Sequence, residues 1–323
     1  MTKRGIFVLL AIFLTVWLLE DCALAATFST KNFTVTTSDP RVAEQMANRA
    51  EQLRSKLALF WLGKELPNWF KRCKITIKIG NVAAGGQTNF TFNKGEVFGW
   101  NMEIQGTVNR VYDSVLPHEI THMLLASHFR TPLPRWADEG AATFTEHESE
   151  RSKYRQQLYS ALKSQKGIPL DRLFEMEEYP ADPLPLYAHG FSIAEFLIRQ
   201  RGPHYYVGFL DACLNSEASW DEIVYEYYGY SSLRNLQEDW VSWVKVGTPG
   251  FVGTNLIAGN GVPAQKLDVK TDELMNGETF QDSVPVVPES RTRPTPNLVI
   301  WSTTHVNGLS GANQPTDEMN SAQ

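Results

Sequence analysis

Cysteine is scarce in this chain, with three in 323 residues, and so is histidine, with seven. Cys73 and Cys213 have no cysteine or histidine at zinc-finger spacing, which excludes a structural cysteine–zinc site. Three cysteines also exclude a disulfide-dense scaffold; an oxidising compartment permits one bond, between Cys73 and Cys213. Basic charge is short as well. Thirty Lys and Arg stand against 36 Asp and Glu, a net charge of -6, and no basic stripe interrupts the sequence. That balance excludes a nucleic-acid partner. Long apolar runs are missing after the first 25 residues, and so is any internal repeat, so no stable membrane span is expected beyond that point.

The first 25 residues are different. Lys3 and Arg4 precede the apolar run "GIFVLLAIFLTVWLL", and "ALA" (Ala23 to Ala25) follows it. A positive end, a short apolar stretch and a small-x-small site form a secretory signal peptide, removed after about Ala25. The acids of "LLEDC" before Cys22 are foreign to a lipoprotein site. The expected product is a secreted or periplasmic, extracytoplasmic protein. The signal carries two charges of each sign, so the mature chain keeps its acidic balance.

From Ala26 to Val108 the pattern is short and mixed. "NFTVTTS" and "CKITIKIG" alternate like strands, and "VFGWNMEIQ" adds a third. Between the first two, Val42, Met46, Ala50, Leu53 and Leu57 recur at helical spacing after Asp39 and Pro40, and Gly63 stops the run. The glycine-rich stretch before "VFGWNMEIQ" predicts a hairpin. From 109 to 247 the periodicity is helical, ending in a face of Leu233, Leu236, Trp240 and Trp243. Such aromatic stripes are core. After Gly247 come 7 of the 17 prolines and no helical pattern, which predicts an irregular tail over 248–323. Only "NLVIWSTTHV" there has the composition of one added strand. The expected class is α+β: a small N-terminal α/β sheet layer over 26–108, then a mainly helical part over 109–247.

"VLPHEITHMLLASHF" sets three histidines and a glutamate into an apolar run. On a helix, residues four apart lie about 40° apart around the axis and about 6 Å along it. His118 and His122 can therefore reach one ion, and Glu119 can reach water beside it. This is the two-histidine, general-base arrangement of zinc hydrolases. A third ligand is needed. His128 falls where the third histidine of an H-E-x-x-H-x-x-G-x-x-H pattern would, but Leu125 replaces the glycine that breaks the helix there. On a continuing helix His128 lies about 120° from His122 and points elsewhere. "PRWADEGAATFTEHE" offers Asp138, Glu139, Glu146 and His147. Glu139 lies beside Gly140, Ala141 and Ala142, whose small size permits a close helix approach. Glu146 and His147 fall about two turns deeper.

"LPHEITHMLL" followed by "LPRWADEGAA" resembles the gluzincin branch of the peptidase MA-like zinc metallopeptidases, in which H-E-x-x-H precedes W-x-x-E-G. Trp136, Glu139 and Gly140 match the second motif, and weaker likeness extends over about Val111 to Val246. The resemblance implies a zincin-like subdomain, Glu139 as third ligand, one Zn2+ per chain, and hydrolysis of a peptide or protein substrate. It implies Glu119 as general base to zinc-activated water. It also implies a later oxyanion donor, for which Tyr187 and His189 in "LYAHG" are the candidates. Asp113, Asp138 and Thr143 are candidate partners of the histidines. "VFGWNMEIQ" falls where such enzymes place the edge strand that binds extended substrate. The alternative is a catalytically inactive metal-binding or interaction module at the cell surface.

Overall fold

The structure, a computed structural model, describes residues 25–248 and 299–307. The signal segment and the rest of the expected irregular tail lie outside the described residues.

Strand β1 (Ala26–Ser29) pairs antiparallel with β2 (Phe33–Thr37). Helix α1 (Pro40–Leu62) then carries the chain across to β3 (Cys73–Ile79), parallel to β2. The reasons for α1 are local. The Asp39 side chain accepts from the Arg41 N–H at 2.8 Å, a cap that contributes about 1 kcal/mol. Pro40 fits the first turn, and Gly63 ends the helix at φ 66°, a left-handed conformation that favours glycine. The expected stripe of Met46, Ala50, Leu53 and Leu57 is buried.

Strands β4 (Ala84–Asn93) and β5 (Glu96–Gly106) form the expected hairpin. Its turn is Lys94–Gly95, both at positive φ (50° and 77°), which matches the twist of a two-residue hairpin. β5 lies parallel to β3, inside the sheet. The expectation that "VFGWNMEIQ" is an edge strand is therefore wrong. The hairpin folds β4 to the outside of β5. β4 in turn is covered by β6 (Val299–Asn307), antiparallel to it. The sheet order is β1-β2-β3-β5-β4-β6. Val299 to Val306 of the "NLVIWSTTHV" segment thus lie in a strand, and the tail is not irregular over 299–307.

A helical turn (Val108–Arg110) and a π-helical turn (Val111–Val115) lead into α2 (Leu116–Phe129). The helical part continues with α3 (Arg135–Phe144), α4 (Glu148–Lys163), α5 (Leu170–Phe174), α6 (Leu184–Arg201), α7 (Pro203–Asn215), α8 (Trp220–Tyr228) and α9 (Leu233–Lys245). An N-terminal sheet followed by helices makes the class α+β. One hydrophobic core runs through both parts, from Phe33 to Val244, and includes Leu236, Trp240 and Trp243 of α9. Among the described residues no helix is long and apolar enough to cross a membrane. Cys73 and Cys213 are both free, so the permitted disulfide does not form. Cys73 sits on β3 in the sheet and Cys213 on α7 among the helices.

Candidate metal centre

α2 is apolar on nearly every side and is buried from Leu116 to Ala126. It runs unbroken through Leu125, as a Met-Leu-Leu-Ala run should. His118 and His122 therefore lie one turn apart on one face, with Nε2 atoms 3.1 Å from each other. His128 sits in the last turn with its ring 4.8 Å from that of Phe129, away from this pair.

Glu139 arrives from α3. Its Oε2 lies 3.4 Å from His118 Nε2 and 3.7 Å from His122 Nε2. Small residues do bring α3 close to a neighbour, and that neighbour is α6. A Cβ on Gly140 would collide with the Gly190 carbonyl, and one on Gly190 would lie 2.5 Å from the Trp136 carbonyl oxygen. This contact sets the depth of α3 and hence the reach of Glu139. His118, His122 and Glu139 are all fully buried, and together they can hold a metal ion.

The donor set supports that use. His118 Nδ1 meets Glu146 Oε1 at 2.9 Å, and His122 Nδ1 meets Asp138 Oδ1 at 2.9 Å, a close contact rather than an aligned hydrogen bond. A carboxylate on each Nδ1 keeps a proton there and turns the Nε2 lone pairs inward, as in carboxylate–histidine–metal arrangements. Three acceptors then converge: two Nε2 atoms and Glu139 Oε2, which has no hydrogen-bond partner. Buried acceptors facing one another with no donor between them need a cation.

Without a cation the protons answer the same demand. Burial disfavours the charged form of His118, but Glu139 and Glu146 outweigh it and push the imidazole up to about 10. His122 is raised too, against burial, by Asp138 and Glu139. Burial alone would raise Glu139; His122, His118 and Tyr179 hold it below the usual carboxylate range. Glu119 goes the other way: burial lifts it above that range, against the pull of His118, His122 and Thr88.

Glu119 is fully buried beside these ligands. Thr88 Oγ1 on β4 donates to its Oε2 at 2.6 Å, while Oε1 has no hydrogen-bond partner. β4 comes this close because residue 86 is glycine: a Cβ there would lie 2.6 Å from Glu119 Oε1 and 2.8 Å from Ile104 Cγ2. Tyr187 is buried on α6, close enough to Glu139 and Glu119 for both carboxylates, after burial itself, to raise its phenol. His189 is not brought to the centre. Its Nε2 accepts from the Ile168 N–H at 2.9 Å, and its Nδ1 lies 2.6 Å from the Pro185 carbonyl oxygen. Both ring nitrogens are committed to backbone, and burial lowers its pKa.

Tyr179 and Arg135 escape sequence reasoning, and the expected neighbours fall out differently. Glu146 is expected deep on the α3 helix, but α3 ends at Phe144 and the loop swings Glu146 back onto His118. Asp138 does partner His122, while Asp113 meets Ser114 and Thr143 Oγ1 has no hydrogen-bond partner. Tyr179, in the loop before α6, donates its hydroxyl to Glu139 Oε1. Arg135 Nη1 donates to that hydroxyl at 3.3 Å, and its guanidinium lies 4.3 Å from the tyrosine ring. An open cavity of about 770 Å3 lies elsewhere, lined by Lys31, Thr36, Arg72 and Lys74 among others, and none of the centre's residues lines it.

No known protein family, curated protein or solved structure matches the chain. The reading of function therefore rests on the residues and their geometry.

Proposed function

We propose that this chain is an exported, zinc-dependent metallopeptidase of the gluzincin type. One observation carries the reading: three buried acceptor atoms on His118, His122 and Glu139 converge next to a fourth buried acceptor, Glu119 Oε1, that no protein donor satisfies. Two histidines and a carboxylate are a zinc donor set, and one ion per chain fits it. A zinc ion held there supplies activation of water and polarisation of a peptide carbonyl.

The chain's own residues supply the rest. Glu146 and Asp138 hold the two imidazoles in the tautomer that faces inward. Tyr179, braced by Arg135, holds Glu139 by its other oxygen. Thr88 fixes one oxygen of Glu119, leaving Oε1 to take a proton from the attacking water and return it to the leaving amine. Burial raises the Glu119 carboxyl, which makes it a stronger proton acceptor. We assign the oxyanion to Tyr187, whose phenol is buried beside Glu139 and Glu119. The N-terminal signal pattern supports export.

Metal analysis of the purified chain and digestion of a denatured protein test the reading together. Native chain and Glu119→Gln should each carry one zinc, and only the native chain should cut. Cleavage by Glu119→Gln, or a native chain without zinc, overturns it. The burial of Glu119 under β6 favours a second reading, an inactive metal-binding module. Full zinc without cleavage, in a chain whose β6 has been displaced, selects that one.

A further inference from the structure

β6 runs the length of the strand that borders the metal centre. Nine residues, Val299–Asn307, pair antiparallel with β4 from Phe92 back to Ala84, with no register shift. Without β6, β4 would be an open edge with a row of unpaired N–H and C=O groups, which is a template for an added strand.

The contacts of β6 reach into the centre itself. Thr303 pairs with Thr88, is fully buried, and places its Oγ1 3.3 Å from Glu119 Oε2. The same hydroxyl lies 3.2 Å from the Thr88 carbonyl oxygen and accepts from the Thr88 N–H at 3.2 Å. Its single proton serves one of the two oxygens at a time. Two residues earlier, Trp301 faces the same side, as strand periodicity requires. Its ring lies 3.6 Å from the Arg135 guanidinium and 6.3 Å from the Phe92 ring. Its Nε1 donates to Asp138 Oδ2 at 3.3 Å. Asp138 is the residue whose other oxygen touches His122. Arg135 also donates to the Ser302 carbonyl at 3.1 Å. Ile300, on the opposite face, is 75 % exposed.

Val299 and Trp301 of β6 pack against the core, as residues of a strand that completes a sheet do. β6 goes further: it sets a hydroxyl against the general-base candidate and an indole into a pocket made by a cation, an acid and an aromatic ring. We infer that residues 299–307 are a self-ligand of the peptide cleft. The cleft accepts extended peptides antiparallel to β4, with an aromatic residue in the place of Trp301, two positions before the residue that abuts Glu119. The inference rests on the peptide-binding reading of the site. Arg135 over the ring selects an aromatic side chain by its π-face, and Asp138 adds a preference for one that donates. Because β6 belongs to the same chain, it competes at the high effective concentration of a tethered ligand. Peptide in trans must displace it.

The test uses the full-length chain and a fluorescein-labelled peptide with the sequence of residues 299–307, with binding read by anisotropy. Thr303→Glu sets a second carboxylate against Glu119 and weakens the docking of β6. This variant should bind the peptide at least about 10-fold tighter than the native chain. A peptide with alanine in place of its tryptophan should lose that gain. In a second variant, Thr91→Cys with Ile300→Cys, the two positions lie directly opposite each other on β4 and β6. Oxidation should lock β6 in place and abolish peptide binding, and reductant should restore it. Equal affinity of the native chain and Thr303→Glu, or undiminished binding by the locked form, overturns the inference. Tight binding without cleavage leaves it standing and removes the peptidase reading. Equal cleavage of an unrelated denatured protein by native, Thr303→Glu and locked chains does the reverse.

Discussion

Two fully buried glutamate clusters lie on packed helices and are built in opposite ways. On α6, Glu195 receives Arg155 through both of its oxygens, at 2.6 and 3.0 Å, and Arg199 at 2.9 and 3.1 Å. Every acceptor has a cationic donor. Burial would raise its carboxyl, and Arg155 and Arg199 hold it below its ordinary value instead. On α2 and α3, Glu119 and Glu139 face histidines whose outer nitrogens lie against other acids, and one oxygen of each glutamate has no hydrogen-bond partner. The first cluster is complete within the protein. The second leaves one oxygen of each glutamate unpartnered and could hold a metal ion. Burying unpaired acceptors is costly, so an incomplete cluster marks a place where the chain expects a ligand.

The contrast can be broken from either side. On the proposed function, the largest effect is expected at Glu119→Gln, which should lower peptidase turnover by roughly 10²–10⁴-fold while leaving zinc at one per chain. Parallel turnover and metal measurements check it; loss of zinc with activity would make Glu119 a ligand instead. Next, Glu195→Ala takes the shared carboxylate from Arg199 and leaves Arg155 only Glu148, and should destabilise the chain by about 3 kcal/mol, read as a shift in denaturant midpoint. Its zinc content should not change. A smaller effect is expected at Glu146→Gln. Removing this partner of His118 should weaken zinc binding by roughly 10–100-fold in a chelator competition, with a matching drop in the midpoint of the loaded chain.

pH separates the clusters last. A carboxyl lowered in the folded state, as Glu195 is, stabilises the chain above the unfolded value of 4.5. That contribution is lost as pH falls through the lower folded value, and Glu195→Ala should flatten this part of the acid limb of a melting-temperature profile. The metal centre should respond over a different window. His118 of the metal-free chain keeps its proton up to about 10, so zinc must displace it. Zinc affinity should therefore rise with pH from neutral toward that value.

Local pattern was enough for much of this. A stretch such as Pro40–Leu62 announces itself through cap, stripe and stop, all within one element. The one-turn spacing of His118 and His122 is likewise a property of a single helix. The same logic placed Glu146 wrongly, because it assumed that α3 continued. The family resemblance made β5 an edge strand, and the sheet order puts it inside, because alternation within a strand does not fix its neighbours. His189 stood second to Tyr187 as a candidate, and only the fold shows its ring nitrogens spent on Ile168 and Pro185.

The sequence by itself determined the α+β class, the run of helices after the sheet, and the pairing of His118 with His122 beside Glu119. These follow from periodicity and from side chains within about one turn of each other. Only the tertiary structure decided which distant residues join them. Close approach of α3 and α6 at Gly140 and Gly190 sets the reach of Glu139, and a loop break returns Glu146 to His118. Residues more than 200 positions apart, such as Thr88 and Thr303, meet over one carboxylate because two strands pair in a fixed register. Contacts of that range depend on packing and register, which no local repeat of the chain encodes.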